Sequence, residues 1–141
     1  MTDDERLEDF IDCTGKRRCF RLMVYAAGQF LEAREVHDDE ASGLRFVLPV
    51  PFNEAPPWGE IRKRIRERLA RRELVRDDEG RLQLLTDVLR GQLTDGDDGL
   101  ALIVDDRVLS WEEVGALLES NMGFGLRIEI QRIVDLRNNR D

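Results

Sequence analysis

The chain has 141 residues, of which 41% are hydrophobic and 37% charged, and its formal net charge is −8. This length suits one globular domain over residues 1–141. The negative charge disfavours general binding to nucleic acid or to anionic membranes. No apolar run reaches the ~20 residues of a transmembrane helix, and the acidic N-terminus resembles neither a signal nor a transit peptide. We therefore expect a cytoplasmic protein of bacterial type without membrane contact.

The first part of the chain predicts a short N-terminal helix and three strands. Thr2 and the acidic residues after it can cap a short helix through Asp12. Apolar and polar residues alternate over residues 18–25 and again over 29–36, with Gly28 between them, which predicts a β-hairpin. A third strand is predicted over residues 44–50, where prolines close it.

The second part predicts two main helices with short strands between them. Apolar residues recur at helical spacing over residues 57–72, after two prolines that suit a helix start. Further predicted elements are strands over residues 82–85 and 88–93, a hairpin over 100–104 and 107–109, and a helix over 111–121.

Residues 108–134 carry the most consistent local signals. Ser110 and Glu113 have the spacing of a capping box, and Leu109 and Val114 occupy the hydrophobic-staple positions. Trp111 is expected to anchor this helix in the core. After the helix, apolar residues alternate with polar ones over 126–131, which predicts a strand with one buried face.

Together these elements predict an α+β fold. We expect a mostly antiparallel sheet of about six to seven short strands, with the helices at 57–72 and 111–121 on one face. The alternative is a partly closed barrel with helices at one end. Hydrophobic periodicity fits both arrangements equally.

Two stretches resemble the C-terminal signature of a bacterial domain family of unknown function. They are residues 109–115, Leu-Ser-Trp-Glu-Glu-Val-Gly, and 123–130, Gly-Phe-Gly-Leu-Arg-Ile-Glu-Ile. In that family a hairpin precedes a Ser-Trp-Glu-Glu-x-Gly helix and a Gly-aromatic strand. Leu-Arg-Gly-Gln-Leu at 89–93 resembles its Arg-Gly element. The likeness covers the last third to half of the chain; it supports the architecture and implies no activity.

Few residues suggest catalysis or metal binding. Cys13 and Cys19 cannot supply the four ligands of a structural zinc site with only His37 beside them. We expect free thiols, one buried and one exposed, and a solvent-exposed His37. The acidic turns at 38–40, 77–79 and 95–98 lack calcium-loop spacing. Nucleophile-elbow and phosphate-binding motifs are missing from the sequence. We therefore expect no cofactor, no metal and no catalytic residues.

The helix from Arg62 to Arg72 is rich in basic residues. Its candidate anion-binding side chains are Arg64, Arg68 and Arg71, and folding could bring a second cluster near them, which consists of Lys16, Arg17 and Arg18. The alternative is a solvated helix whose arginines pair with the surplus carboxylates. We favour this alternative because the chain uses arginine almost exclusively, which reduces the weight of any arginine-rich segment.

These observations favour a small module that acts through protein–protein contacts and has no catalytic activity of its own. The alternative function is nucleic-acid or anion binding through the basic helix from Arg62 to Arg72. An unidentified protein partner is expected, and the chain is expected to be a monomer or a homodimer, because exposed edge strands can pair between chains.

Overall fold

The computed structural model describes residues 5–38 and 43–132. Within these residues the protein has nine strands, all paired antiparallel, and two α-helices. The strands are β1 (Arg6–Ile11), β2 (Arg17–Tyr25), β3 (Phe30–Glu35), β4 (Arg45–Pro49), β5 (Leu74–Arg76), β6 (Leu82–Leu84), β7 (Gln92–Gly96), β8 (Gly99–Val104) and β9 (Arg107–Ser110), and the helices are α1 (Trp58–Ala70) and α2 (Trp111–Leu118). The predicted α+β class is confirmed. The strands divide into three sheets.

The chain divides into two compact units. Unit 1 comprises residues 1–38, 43–70 and 129–141, and unit 2 comprises residues 39–42 and 71–128. The assignment of residues 1–141 to one domain stays a prediction. Neither α-helix of the described residues combines the length and the apolar composition that crossing a bilayer requires.

Unit 1 contains a four-stranded antiparallel sheet in the order β1-β2-β3-β4, which packs against α1. The predicted hairpin is confirmed, with Leu22 opposite Ala33 and Tyr25 opposite Phe30. Its turn uses three successive residues with positive φ, of which Gly28 is the last. The buried apolar side chains of β2, β3 and α1 are Phe20, Leu22, Leu31, Ala33, Ile61, Ile65 and Leu69.

The predicted N-terminal helix is wrong. Residues 6–11 form β1, which pairs with β2 so that Phe10 lies opposite Arg18. Phe10 is buried, whereas Leu7 and Ile11 are exposed. Apolar residues at 7, 10 and 11 fit a helical stripe as well as a strand, and pairing with β2 decides between them. The predicted capping residue Thr2 lies outside the described residues.

Unit 2 contains a two-stranded sheet, β5-β6, and a three-stranded sheet, β7-β8-β9, whose last strand runs directly into α2. Its core consists of Leu74, Val104, Leu109, Val114 and Leu117. The predicted hairpin over 100–109 and the second helix are confirmed. The predicted strand at 88–93 lies further along the chain, at Gln92–Gly96.

Trp111 is not the core anchor that the sequence suggested, because it is 55% exposed. The buried residues of α2 are Val114 and Leu117, three positions apart on one face. Trp111 has the same spacing from Val114, but it is the first residue of the helix, and its side chain stays outside the buried set. It borders an open groove of about 420 Å³ together with the turn between β7 and β8.

Candidate functional site

The basic residues predicted on α1 lie in different settings. Arg64 is half exposed and pairs with Glu60 on the next turn, at 3.3 Å between Nε and Oε1. Arg68 is half-buried, and Arg71 lies beyond the end of α1. Arg62 makes a two-point hydrogen-bonded pair with Glu8 of β1, at 2.8 and 2.7 Å. Two of the basic side chains of α1 are therefore already paired with carboxylates.

The pairing of Arg62 with Glu8 also shifts the pKa of both groups. The hydrogen bonds from Arg62 lower the pKa of Glu8, although burial acts in the opposite direction. The same bonds raise the pKa of Arg62. Both groups are therefore held in their charged forms, and the pair connects α1 to β1 within unit 1.

The second predicted basic cluster is not a surface cluster of three. Lys16 and Arg17 are exposed, and Arg17 lies 3.8 Å from Asp9. Arg18 is only 5% exposed, so its prediction as a surface cation needs correction. Its side chain points to the same face of β2 as Phe20 and Leu22, because residues two apart share a face.

Arg18 is held by two buried carboxylates. Its guanidinium donates to Glu35 Oε1 at 3.0 Å and to Asp12 Oδ2 at 3.1 Å. Asp12 also accepts hydrogen bonds from Thr14 and from the Lys16 amide, at distances between 2.6 and 3.0 Å. Burial alone would raise the pKa of Asp12, but these hydrogen bonds outweigh it and lower that pKa. Arg18 therefore has a structural role, joining the β1–β2 turn to β3.

Arg18 keeps its charge despite burial. Desolvation acts to lower the pKa of its guanidinium, but the hydrogen bonds that Arg18 donates to Glu35 and Asp12 reverse that effect, and the pKa is raised. Glu35 Oε1 also accepts the amide of Leu44 at 3.1 Å. The buried carboxylates of Asp12 and Glu35 thus accept hydrogen bonds from other groups as well as from Arg18, which a buried ion pair requires.

The cysteines and His37 form no metal centre in the part of the chain that the structure describes, where no suitable group of three His, Cys, Asp or Glu side chains occurs. Neither cysteine forms a disulfide; Cys13 is exposed and Cys19 is half-buried. Burial raises the pKa of the Cys19 thiol, and a hydrogen bond with Asp9 adds to the effect. His37 is exposed, as predicted. Asp39 and Glu40 of the predicted acidic turn lie outside the described residues.

Two acidic residues that the sequence analysis missed organise unit 2. Asp105, in the β8–β9 turn with φ +54°, accepts the amides of Glu73 and Leu74 at 2.9 and 3.0 Å. The buried carboxylate of Glu73 accepts the Arg90 amide at 2.8 Å. An acidic residue in a two-residue hairpin turn was visible in the sequence, but its distant amide partners were not.

The Arg-Gly element at Arg90 and Gly91 lies against β8. A Cβ atom on Gly91 would lie 2.7 Å from both the Ile103 carbonyl oxygen and Leu102 Cγ. Such distances are well inside van der Waals contact, so glycine is required for this close approach. Arg90 and Gly91 therefore help to build unit 2.

Residues 72–135 match a domain of unknown function, DUF7713. The DUF7713 match covers nearly all of unit 2. This finding agrees with the resemblance to a domain family of unknown function. No curated protein and no solved structure matches the chain.

The strand predicted over residues 126–131 is wrong, since no residue from 122 to 132 belongs to a strand. We call residues 122–132 the exposed segment. Five of its side chains are between 70% and 79% exposed, at every second position: Met122, Phe124, Leu126, Ile128 and Ile130. The predicted buried face of Leu126, Ile128 and Ile130 is therefore exposed, and no sheet of the described chain covers it.

The exposed segment leaves five large apolar side chains in contact with water. Burying a single large apolar side chain stabilises by about 1.5–3 kcal/mol relative to leaving it in water. Singly exposed apolar residues are ordinary on protein surfaces, whereas several in succession typically mark an interaction site. Phe52, 90% exposed in the loop before α1, is an example of the isolated kind. The exposed segment is therefore the candidate functional site.

Proposed function

We propose that the chain is a module that acts through protein–protein contacts, with no catalytic activity of its own, and that the exposed segment makes those contacts. The observation that supports this proposal is the row of five exposed apolar side chains from Met122 to Ile130. Binding would remove these side chains from water, which is favourable.

The pattern of the exposed segment favours a protein partner over a membrane. Its intervening residues include Arg127, Glu129 and Gln131, so the polar positions carry both signs of charge. A membrane-binding helix instead has helical spacing and a polar face rich in Lys and Arg. Alternation with period two suits an extended strand that adds to another strand through its backbone.

Photo-crosslinking in the cells that naturally express the protein tests this proposal. A photoreactive amino acid at Ile128 should yield covalent adducts with protein, whereas the same group at Phe52 should yield few. Both positions are exposed and apolar, so they differ mainly in their neighbours. The double substitution Leu126→Ser and Ile130→Ser should remove the adducts at 128. Equal adduct yields at 128 and 52 would overturn the proposal.

Anion binding through α1 remains the second candidate function. It is supported by the exposed Arg64, in the middle of α1, and the exposed Arg71, just after its end. The pairing of Arg62 with Glu8 and of Arg64 with Glu60 reduces the charge available to a ligand. The protein-contact proposal therefore has the stronger support.

A further inference from the structure

We propose that the groove beside Trp111 binds a basic segment of a partner protein, with an arginine side chain of that segment lying on the Trp111 ring. We call this groove, which is lined by residues 95–101, 108 and 110–113, the acidic groove. All of its lining residues belong to unit 2, and none belongs to the exposed segment. The inference therefore goes beyond the proposed function, because it concerns a different surface.

The acidic groove has an aromatic wall that the described chain leaves uncovered. Its volume is about 420 Å³, which lies within the range of ligand sites in proteins. Trp111 and Leu100 on its walls are 55% and 57% exposed. Elsewhere in the chain, Arg6 lies over the ring of Trp58, with its Cζ atom 4.0 Å from the ring centroid. Within the described residues no cation covers the Trp111 ring in this way, so that ring is available to a cation from outside.

The charge of the acidic groove selects a cationic ligand. Its lining residues include five acidic ones and no basic one, and the acidic residues are Asp95, Asp97, Asp98, Glu112 and Glu113. Glu113 is engaged in the helix cap, whereas the other four carboxylates make no ion pair or side-chain hydrogen bond within the described part of the chain. A cleft lined by charges of one sign concentrates their field and attracts the opposite charge.

The start of α2 does not reverse this preference. The N-terminus of a helix attracts anions through its free amides and its dipole. Here the capping box already supplies an acceptor, because Ser110 Oγ accepts the Glu113 amide at 3.1 Å. Glu112 and Glu113 also place two negative charges in the first turn. The end of the helix is therefore compensated, and the groove as a whole favours cations.

The spacing of the carboxylates favours a basic peptide over a metal ion. Within the described residues no three His, Cys, Asp or Glu side chains converge closely enough to hold a metal, whereas Ca²⁺ takes about six to eight oxygen ligands. Asp97 and Asp98 form the two-residue turn between the paired Gly96 and Gly99, and Glu112 belongs to α2. Charges spread along a groove in this way can pair with successive basic side chains of an extended segment.

Among basic side chains, arginine suits the acidic groove best. Its guanidinium is planar, so it can stack on an aromatic ring while its N–H groups donate to carboxylates beside the ring. Trp111 offers the ring, and the neighbouring Glu112 and the turn at Asp97 and Asp98 offer the carboxylates.

The first test is an NMR titration of the full chain with a short peptide of alternating arginine and glycine. The two tryptophans give two indole N–H signals, which the Trp111→Phe variant assigns. The arginine peptide should shift the Trp111 signal and leave the Trp58 signal in place, and added salt should weaken the effect because the carboxylates are exposed. A peptide of alternating glutamate and glycine should shift neither signal.

Two outcomes of this titration would overturn the inference. One is a Trp111 signal that does not respond to the arginine peptide. The other is a Trp111 signal that responds to calcium chloride and not to the peptide, which would make the acidic groove a cation site.

The second test separates the ring from the charges. Trp111→Ala should weaken binding of the arginine peptide roughly tenfold, because the guanidinium loses its aromatic partner. Trp111→Phe should retain most of the affinity, since phenylalanine also presents a ring face. Trp111 is exposed, so neither change is expected to unfold the chain, and thermal unfolding checks this. An unchanged affinity in the folded Trp111→Ala protein contradicts the proposed stacking.

The third test separates the acidic groove from the general negative charge of the protein. The double substitution Asp97→Asn and Asp98→Asn should weaken peptide binding severalfold. The matched control is Asp78→Asn with Asp106→Asn, which makes the same change in net charge at exposed positions of two other hairpin turns. This control should bind like the unmodified chain. Equal losses in the two double variants would show general attraction to an acidic protein and overturn the inference.

The exposed segment and the acidic groove can be tested independently of each other. The variant with Leu126→Ser and Ile130→Ser, which should lose its adducts at 128, should bind the arginine peptide with unchanged affinity. Peptide binding without adducts at 128 supports the acidic groove and contradicts the role proposed for the exposed segment. Adducts at 128 without peptide binding support the proposed function and overturn this inference.

Discussion

Arg18 shows how a single residue can depart from the pattern of its neighbours. It follows Lys16 and Arg17, and the three together predicted a basic surface cluster. Yet Arg18 has the same parity as Phe20 and Leu22 along β2, so the strand itself directs it inward. Parity was available from the sequence. The positions of Asp12 and Glu35, which make the burial of Arg18 tolerable, became visible only in the fold.

The carboxylate of Asp12 predicts loss of stability in acid. Its pKa is lower in the folded protein than in the unfolded chain, where it is about 3.9. Between the folded and the unfolded pKa, the unfolded state binds more protons than the folded state. The contribution of Asp12 to the free energy of unfolding is therefore complete above about pH 4 and is lost as the pH falls through the folded pKa. Urea unfolding at a series of pH values should show this decline.

Asp12→Asn should be less stable than the unmodified chain at neutral pH and should lose less stability on acidification. Asp9→Asn is the control, because Asp9 is half exposed and lies 3.8 Å from the exposed Arg17. It should change stability little, as exposed ion pairs usually do. An unaltered acid response in Asp12→Asn would contradict the assignment.

Replacing glycine by alanine should have opposite effects on stability at Gly91 and at Gly115. Gly91→Ala should destabilise unit 2, because its Cβ would meet the Ile103 carbonyl oxygen at 2.7 Å. Gly115→Ala should stabilise it by up to about 1 kcal/mol, since alanine favours helices over glycine and no atom lies within 4 Å. Thermal unfolding measures both. A stable Gly91→Ala protein would show that β8 can move aside cheaply.

At the scale of elements, features set by residues close in the sequence were predicted well. Features set by pairing between distant segments were predicted poorly. The start of α2 illustrates the first case: Ser110 Oγ accepts the Glu113 amide at 3.1 Å, and Glu113 Oε1 accepts the Ser110 amide at 2.9 Å. Both bonds join residues three apart, so their spacing is visible in the sequence. β1 and the exposed segment illustrate the second case, because alternation reveals which side chains share a face and never which strand lies beside them.

The capping box predicts a modest and purely structural effect. Ser110→Ala should lower the free energy of unfolding by about 1 kcal/mol, because the Glu113 amide loses its acceptor. Ser120→Ala, at an exposed residue beyond α2, is the control and should be nearly neutral. Chemical denaturation measures both. The crosslinking yield at Ile128 should not change in either variant; a loss in a folded Ser110→Ala protein would show a role beyond capping.

At the scale of the whole molecule, the anion-binding proposal for α1 has a direct test. If the helix binds a phosphate backbone, retention on duplex DNA should fall steeply with added salt. The triple substitution Arg64→Glu, Arg68→Glu and Arg71→Glu should then abolish it. Exchanging Lys16 and Arg17 for Glu tests the exposed remainder of the second cluster. Identical gel mobility of DNA with the unmodified and the triple-substituted protein would exclude this function.

The α+β class and both helices followed from hydrophobic periodicity and end signals. The division of the strands among three sheets did not, because it depends on pairings between distant segments. The apolar row of the exposed segment was also visible in the sequence. Its last three members, Leu126, Ile128 and Ile130, predict one buried face of a strand, and the prediction fails because a period of two gives no information about whether a covering sheet exists.

The hydrogen bonds of Asp105 bear on the order of folding. Its carboxylate reaches amides 32 and 31 residues earlier in the chain, whereas the β8–β9 hairpin that carries it closes over only a few residues. Closing a long loop costs more entropy than closing a short one. The hairpin can therefore form first, with the Asp105 carboxylate already in place. The amides of Glu73 and Leu74 would then bind to it at a later step of folding.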